Sequence, residues 1–169
     1  RLIETHISWV LLTGPYAYKI KKPVKLDFLD FSTLECRREY CLQELRLNRR
    51  LAPQLYLDVV PITGSSHEPR MNGTGAAIEY ALKMREFPQQ DLLVNRLARD
   101  AVEPRHIDAI AGALVTFHDG AAAANASDDF GSAAPLLQVA LDNFTSIERL
   151  LTGNGMHLRI SALKRWTQN

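Results

Sequence analysis

Alternation of apolar and polar residues dominates the first 25 positions of the chain and predicts short β-strands. Three strand-forming runs follow one another, at residues 2–3, 7–12 and 16–21. Gly14 and Pro15 separate the second run from the third, which predicts a hairpin turn at residues 13–15. Because Lys22-Pro23 ends the third run, we expect an antiparallel meander of three strands.

A helical pattern comes next. Ser32 and Glu35 have the spacing of a capping box, in which the serine oxygen and the later carboxylate satisfy free amides at a helix start. We predict a helix over residues 33–51. Its expected inward face carries the apolar residues Tyr40, Leu47 and Leu51, and its polar face carries Glu35, Glu39, Gln43 and Arg46. Glu44 falls within the inward face, so it is the one carboxylate of the helix that is expected to point inward.

Two further strands are predicted, at residues 56–62 and 76–84, joined by a polar loop that contains glycine. Residues 84–88 break the strand pattern, and all later apolar spacing is helical. Two inward helical stripes are expected: Ile107, Ile110, Ala111, Leu114, Phe117, His118 and Ala121, and then Leu137, Ala140, Leu141, Phe144, Ile147 and Leu151. Gly153 is expected to end the second helix, and a last helix is expected at residues 156–166. The prediction is an α+β protein with a sheet-containing lobe, residues 1–87, and an all-α part, residues 88–169.

Charge and composition exclude several classes of partner. The 169 residues include 20 Lys plus Arg against 19 Asp plus Glu, a formal net charge of +1, which gives no general attraction to nucleic acid or to an anionic membrane. No apolar run approaches the roughly 20 residues that cross a bilayer, so we expect a cytoplasmic protein. Cys36 and Cys41, five residues apart on one helix, are expected to remain free thiols.

A candidate site arises from the third strand and the helix. The two-residue period of a strand places Ala17, Lys19 and Lys21 on one face. A lysine on such a strand can neutralise nucleotide phosphates when a carboxylate from a helix orients it, and Lys19 with Glu44 would form that pair. The alternative, equally open from spacing alone, is a solvated basic strand end with Glu44 in a surface ion pair.

Five segments together resemble a known family. They are residues 5–8 (THIS), 12–14 (LTG), 17–24 (AYKIKKPV), 28–35 (FLDFSTLE) and 44–53 (ELRLNRRLAP). The chain resembles the bacterial aminoglycoside phosphotransferase family, specifically the branch fused to a carboxy-terminal P-loop ATP-binding domain. The resemblance implies a protein-kinase-like fold, an ATP-dependent phosphotransferase, and ATP with Mg²⁺ as cofactors; the small-molecule acceptor stays unknown.

The resemblance also implies roles for individual residues. Lys19 would be the phosphate lysine and Glu44 its partner, with Lys21 the alternative lysine if the strand register differs by two. The adenine pocket would involve Met84 as a bordering residue, the Arg85 carbonyl and the Phe87 amide. A loop over the phosphates would involve Thr5, His6 and Ser8. His118 is expected to pack in the core with a satisfied imidazole.

The catalytic loop of the family, a His-Gly-Asp followed by Asn, does not occur up to residue 169, and the metal ligands are expected beyond that point. This part alone is therefore expected to be inactive. Residues 129–131 (DFG) and 73–75 (GTG) are interpreted as loop and turn sequence. The competing hypothesis is a kinase-shaped regulatory module fused to a separate P-loop domain; the sequence beyond residue 169 distinguishes the two.

Overall fold

The structure is a computed structural model that describes residues 1–125, 132–151 and 154–168. Within these ranges the strands are β1 Leu2–Glu4, β2 Ser8–Leu12, β3 Tyr16–Lys21, β4 Lys25–Leu26, β5 Leu29–Asp30, β6 Tyr56–Gly64, β7 Pro69–Met71 and β8 Ala77–Arg85. The helices are α1 Leu34–Asn48, a 3₁₀ turn at Gln89–Asp91, α2 Leu93–Leu97, α3 Pro104–Asp119, α4 Ala133–Leu150 and α5 Asn154–Gln168. The fold is α+β, as predicted.

Six strands form one antiparallel sheet in the order β1-β2-β3-β8-β6-β7. The predicted meander β1 to β3 is confirmed, and so are the two later strands, β6 and β8. The short strand β7 and the separate hairpin β4–β5 were not predicted. β7 lies within the segment predicted as a polar loop, and the two-residue strands β4 and β5 belong to no strand-forming run of the sequence.

Both predicted turns are confirmed. The turn between β2 and β3 is closed by the Thr13 amide, which donates to the Tyr16 carbonyl at 2.9 Å, and Gly14 there has φ of 97°. Residues 73–75 lie between β7 and β8. A Cβ added at Gly73 would stand 2.3 Å from the Thr63 hydroxyl oxygen, so the close approach of the buried Thr63 side chain favours glycine at this turn.

Helix α1 begins one residue later than the capping box predicted. Its N-cap is Thr33, whose hydroxyl oxygen accepts from the Cys36 amide at 3.2 Å. Ser32 lies outside the helix and is directed to Asp30 instead: its amide and its hydroxyl both donate to Asp30 Oδ1, at 2.9 and 2.5 Å. The helix also ends at Asn48, three residues before the predicted end.

Thr33→Ala is expected to lower the free energy of unfolding by about 1 kcal/mol, the typical contribution of a threonine N-cap. Chemical denaturation followed by circular dichroism measures the change. Thr74→Ala is the matched control, because Thr74 is an exposed threonine in a turn. Equal stability of the two variants would show that the Thr33 cap contributes nothing.

The predicted inward face of α1 is wrong except at Glu44. The residues that α1 buries are Arg37, Cys41 and Leu45, whereas Tyr40, Leu47 and Leu51 are exposed. Apolar residues occur on several sides of this helix, so the periodicity does not select one face. The side that faces the sheet is instead fixed by charged residues that reach the strands, at Arg37 and Glu44.

The two faces of β3 have different roles. Tyr18 and Ile20 pack on a cluster formed by Val60, Ile62 and Ala81 from β6 and β8. The opposite face carries Ala17, Lys19 and Lys21, as the strand period predicted. Both free cysteines are confirmed as unbridged thiols, with Cys41 buried in α1.

The helices that follow the sheet begin as predicted after residue 88, but the stripe on α3 is not inward. Ile107, Ile110 and Leu114 are exposed, and Phe117 is half-buried beneath the Arg50 guanidinium, 4.4 Å from the ring centroid. His118 is exposed too, so the prediction of a core histidine is wrong. Helical spacing showed that these residues share a side of α3, but it could not show whether another element covers that side.

The chain divides into two compact units, Arg1–Ala121 and Ala122–Asn169. In the second unit the predicted stripe on α4 is half-buried at Leu137, Ala140, Leu141 and Phe144, although Ile147 is exposed. Lys164 Nζ of α5 lies 3.1 Å from Glu148 Oε2 of α4. Gly153 and residues 129–131 fall outside the described ranges.

The strands end and the helices begin near residue 87, as predicted. Whether this position is also a boundary between two lobes stays a prediction. Residues 88–121 belong to the same compact unit as the sheet. No helix in the described ranges is long and apolar enough to cross a membrane.

Candidate functional site

One carboxylate is shared by two lysines on the face of β3 that α1 covers. Lys19 Nζ lies 2.7 Å from Glu44 Oε1, and Lys21 Nζ lies 2.7 Å from Glu44 Oε2. The two lysines differ in access to solvent: the Lys19 side chain is 28% exposed and the Lys21 side chain 6%. The predicted pair Lys19–Glu44 is therefore confirmed as a contact. The alternative of a solvated strand end is wrong for Lys21, which is buried, whereas Lys19 is partly exposed and the role of the pair stays a prediction.

The local structure explains this arrangement. Lys19 and Lys21 point to the same side because two residues separate them on β3. Glu44 lies in the third turn of α1, and the adjacent Leu45 is buried. The packing of this part of α1 therefore places the Glu44 carboxylate next to the sheet. Phe31, 3% exposed, flanks Lys21 with its ring centroid 4.8 Å from Nζ.

The cluster of Lys19, Lys21 and Glu44 has a formal net charge of +1. Burial acts to raise the pKa of Glu44, but the hydrogen bonds and charges of Lys19 and Lys21 outweigh burial, so the pKa lies below its ordinary value of 4.5. Burial also raises the pKa of the neighbouring Cys41 thiol to about 11. Glu44 is thus ionised and Cys41 is protonated near neutral pH, and the excess positive charge favours an anion at Lys19.

An apolar slot of about 180 Å³ lies on the same face of the sheet. Its walls come from five strands of the sheet, β1, β2, β3, β6 and β8, and from the segments that flank β6 and β8. The lining residues include Ile3, Val10, Leu12, Ala17, Leu55, Tyr56, Met84, Arg85, Glu86, Phe87 and Gln89. The strand register accounts for this convergence, because Ala17 pairs with Met84 and Met84 pairs with Tyr56. A flat apolar group is the kind of ligand that such a slot accommodates.

The slot and the lysine cluster are neighbours. Val10 lines the slot and pairs directly with Lys19 across β2 and β3. Ala17, another wall residue, precedes Lys19 by two positions on the same strand face. A ligand with an apolar ring in the slot and an anionic tail could therefore reach the exposed side of Lys19.

The segment that leaves β8 forms one rim of the slot. The Arg85 amide donates to the Leu55 carbonyl at 2.8 Å, and the Glu86 amide donates to the Pro15 carbonyl at 3.1 Å. Glu86 Oε2 also accepts from the Gly14 amide at 3.2 Å. The Phe87 amide donates to no group in the described part of the chain, so it is free to bind a ligand edge.

The turn between β1 and β2 holds the residues predicted to cover phosphates. The Thr5 amide donates to the Ser8 carbonyl at 2.9 Å, and the Ser8 amide donates to the Thr5 hydroxyl oxygen at 3.0 Å. His6 is exposed at the tip, whereas Ser8 is fully buried and its hydroxyl has no hydrogen-bond partner in the described residues. The amides of Thr5 and Ser8 are therefore already used for hydrogen bonds within the turn. A phosphate contact by this turn stays a prediction.

Sequence reasoning placed Lys19 and Glu44 in contact and missed part of the framework around them. It did not find the pairing of Arg37 with Glu79, in which Arg37 Nε lies 2.8 Å from Glu79 Oε2 and Nη1 donates to the Phe31 carbonyl at 2.9 Å. The residues are 42 positions apart, and no local pattern links them. The described residues contain no group of three or more His, Cys, Asp or Glu side chains that could hold a metal ion.

Comparison with known proteins finds relatives in mycobacteria. The chain is similar to the uncharacterized proteins Rv2004c and MT2060 of Mycobacterium tuberculosis and Mb2027c of Mycobacterium bovis, each 36% identical over 118 residues. The match covers 70% of the chain and 22% of each relative, so the chain spans about a fifth of their length. No protein-family model matches the chain. No solved structure matches it either.

Proposed function

We propose that this chain is the ATP-binding part of a protein-kinase-like, ATP-dependent phosphotransferase. The observation that carries the proposal is the contact of Lys19 with Glu44 at 2.7 Å beside an apolar slot. Each component has a distinct use for a nucleotide: the slot suits a purine ring, and the ammonium suits a phosphate. The resemblance to aminoglycoside phosphotransferases is consistent with this proposal.

Bound ATP would supply the phosphoryl group to be transferred. Ala17, Val10 and Met84 would contact the base, and the Phe87 amide would donate a hydrogen bond to its edge. Lys19 would neutralise phosphate oxygens with the N–H donors that it does not use for its hydrogen bond to Glu44. The chain would thus bind and orient the nucleotide rather than carry out the transfer by itself.

Residues for the remaining steps are expected outside this chain. The resemblance assigns the Mg²⁺ ligands and the group that orients the acceptor hydroxyl to positions beyond residue 169. Activity therefore belongs, in this proposal, to the longer protein. Its acceptor would be a small molecule of a class that the present residues do not define.

Filling the slot is the sharpest test of nucleotide binding. Ala17 is 6% exposed and lines the slot, so Ala17→Leu would place three additional carbons where the base is expected. We expect the Kd for ATP, measured by isothermal titration calorimetry, to rise by about tenfold or more, because overlap with a bound ring costs at least ~1.4 kcal/mol.

Ala113→Leu serves as the control, because Ala113 lies on the exposed surface of α3. It should bind ATP like the wild-type protein. Thermal denaturation of both variants separates loss of binding from loss of fold. A wild-type protein that shows no ATP binding, or an Ala17→Leu protein that is folded and binds ATP unchanged, would refute the proposed site.

A further inference from the structure

Lys21 differs from Lys19 in a way that sequence spacing did not show. Its side chain is 6% exposed, and it holds Glu44 Oε2 while its Nζ lies over the Phe31 ring. Phe31 itself is 3% exposed. A phosphate could reach Lys21 only after this packing was disrupted, so Lys21 is unsuited to bind a nucleotide directly.

We propose that Lys21 is a positioning residue, which holds Glu44 and α1 against the sheet whether or not a phosphate engages Lys19. The inference rests on the proposed function, because it assigns Lys21 a role in that nucleotide site. It departs from the expectation that Lys21 is a substitute phosphate ligand. Lys19 and Lys21 thus have different roles. The more exposed Lys19 ammonium contacts the ligand, and the buried Lys21 ammonium holds the Glu44 carboxylate.

The division follows from how Glu44 is bonded. Its two oxygens have separate donors, one from each lysine, both at 2.7 Å. A nucleotide that draws Lys19 toward its phosphates would weaken only the bond to Oε1. The bond to Oε2 would persist, because Lys21 is shielded from solvent and has no phosphate within reach.

A second contact fixes α1 independently of the lysines. Arg37 lies seven residues before Glu44, about two helical turns or ~10 Å along the axis, and it binds Glu79 of β8. Phe31 joins the two contacts: its ring lies beneath Lys21 and 4.9 Å from the Tyr40 ring of α1, and its carbonyl accepts from Arg37. With two charged contacts along its length, α1 cannot pivot about either one alone.

Hydrogen exchange of the α1 amides and calorimetric titration with ATP test the proposal together. In the wild-type protein, exchange near Glu44 should be slow without ATP and no faster with it, because a ligand of the folded state only adds stability. Lys19→Ala should lose ATP binding but retain slow exchange in α1. Lys21→Met keeps the length of the side chain without its charge; it should speed α1 exchange by about tenfold and raise the Kd for ATP by about tenfold, the effect of one lost charged hydrogen bond.

Lys21→Arg distinguishes positioning from simple packing. Arginine restores a donor to Glu44, so both slow exchange and ATP affinity should return. The proposal fails if Lys21→Met leaves both readouts unchanged, if Lys19→Ala speeds α1 exchange as much as Lys21→Met does, or if Lys21→Arg restores neither. Should Lys21→Met not fold, the wild-type comparison decides: faster exchange of α1 with ATP than without it would overturn the proposal. Absence of ATP binding by the wild-type protein would refute the nucleotide site, whereas the exchange data would still report whether Lys21 holds α1.

Discussion

Lys19→Ala is expected to abolish ATP-dependent phosphorylation by the longer protein and to raise the Kd of this part for ATP by about 100-fold. The reason is that Lys19 is the solvent-accessible ammonium beside the slot, and one charged contact to phosphate contributes ~1.5–3 kcal/mol. The fold should remain intact, because Glu44 keeps its bond to Lys21. Calorimetric titration with ATP and transfer from labelled ATP measure the two effects.

Lys83→Ala is the matched control for this experiment. Lys83 lies on β8, next to β3, but its Nζ stands over the Tyr16 ring at 4.0 Å and does not line the slot. Lys83→Ala removes one lysine from the same sheet and should leave ATP affinity unchanged. If Lys19→Ala and Lys83→Ala weaken binding equally, the effect comes from overall charge and the assignment of Lys19 is wrong.

The sequence predicted those parts of the site that obey a local period. Ala17, Lys19 and Lys21 share a face because a strand alternates, and the meander around them was predicted from its turn at Gly14. Glu44 was selected as an inward carboxylate, and this was correct although the surrounding face of α1 was assigned wrongly. A single residue can thus be placed correctly by a pattern whose other members fail.

The remaining features depend on distant parts of the chain. Arg37 meets Glu79 only because the sheet brings β8 beneath α1, and the slot requires β1, β2, β3 and β8 together. The stripe on α3 failed for a related reason, since the exposure of Ile107 and Leu114 depends on which element lies opposite. Local periodicity predicts which residues share a side of a helix or strand. What that side contacts depends on tertiary packing, which periodicity does not predict.

Glu44→Gln is expected to have its largest effect on stability, lowering the free energy of unfolding by about 2–4 kcal/mol. The amide oxygen of glutamine can accept from one lysine, but the amide nitrogen only donates, so the other lysine loses its acceptor and neither lysine keeps a charged partner. For Lys21, 6% exposed beside Phe31, that loss is costly because water cannot replace the carboxylate. ATP affinity should fall less than in Lys19→Ala, because Lys19 itself is retained.

The dependence of stability on pH provides an independent check of the same carboxylate. The pKa of Glu44 is below 4.5 in the folded protein, so its ion pairs stabilise the fold fully above that value, and the contribution is lost as the pH falls through the folded pKa. Denaturation midpoints of the wild-type protein and Glu44→Gln should therefore differ most near neutral pH and converge on acidification. A difference that stays constant between pH 7 and strongly acidic conditions would mean that Glu44 acts through packing, and the charged contact between α1 and β3 would lose its assigned role.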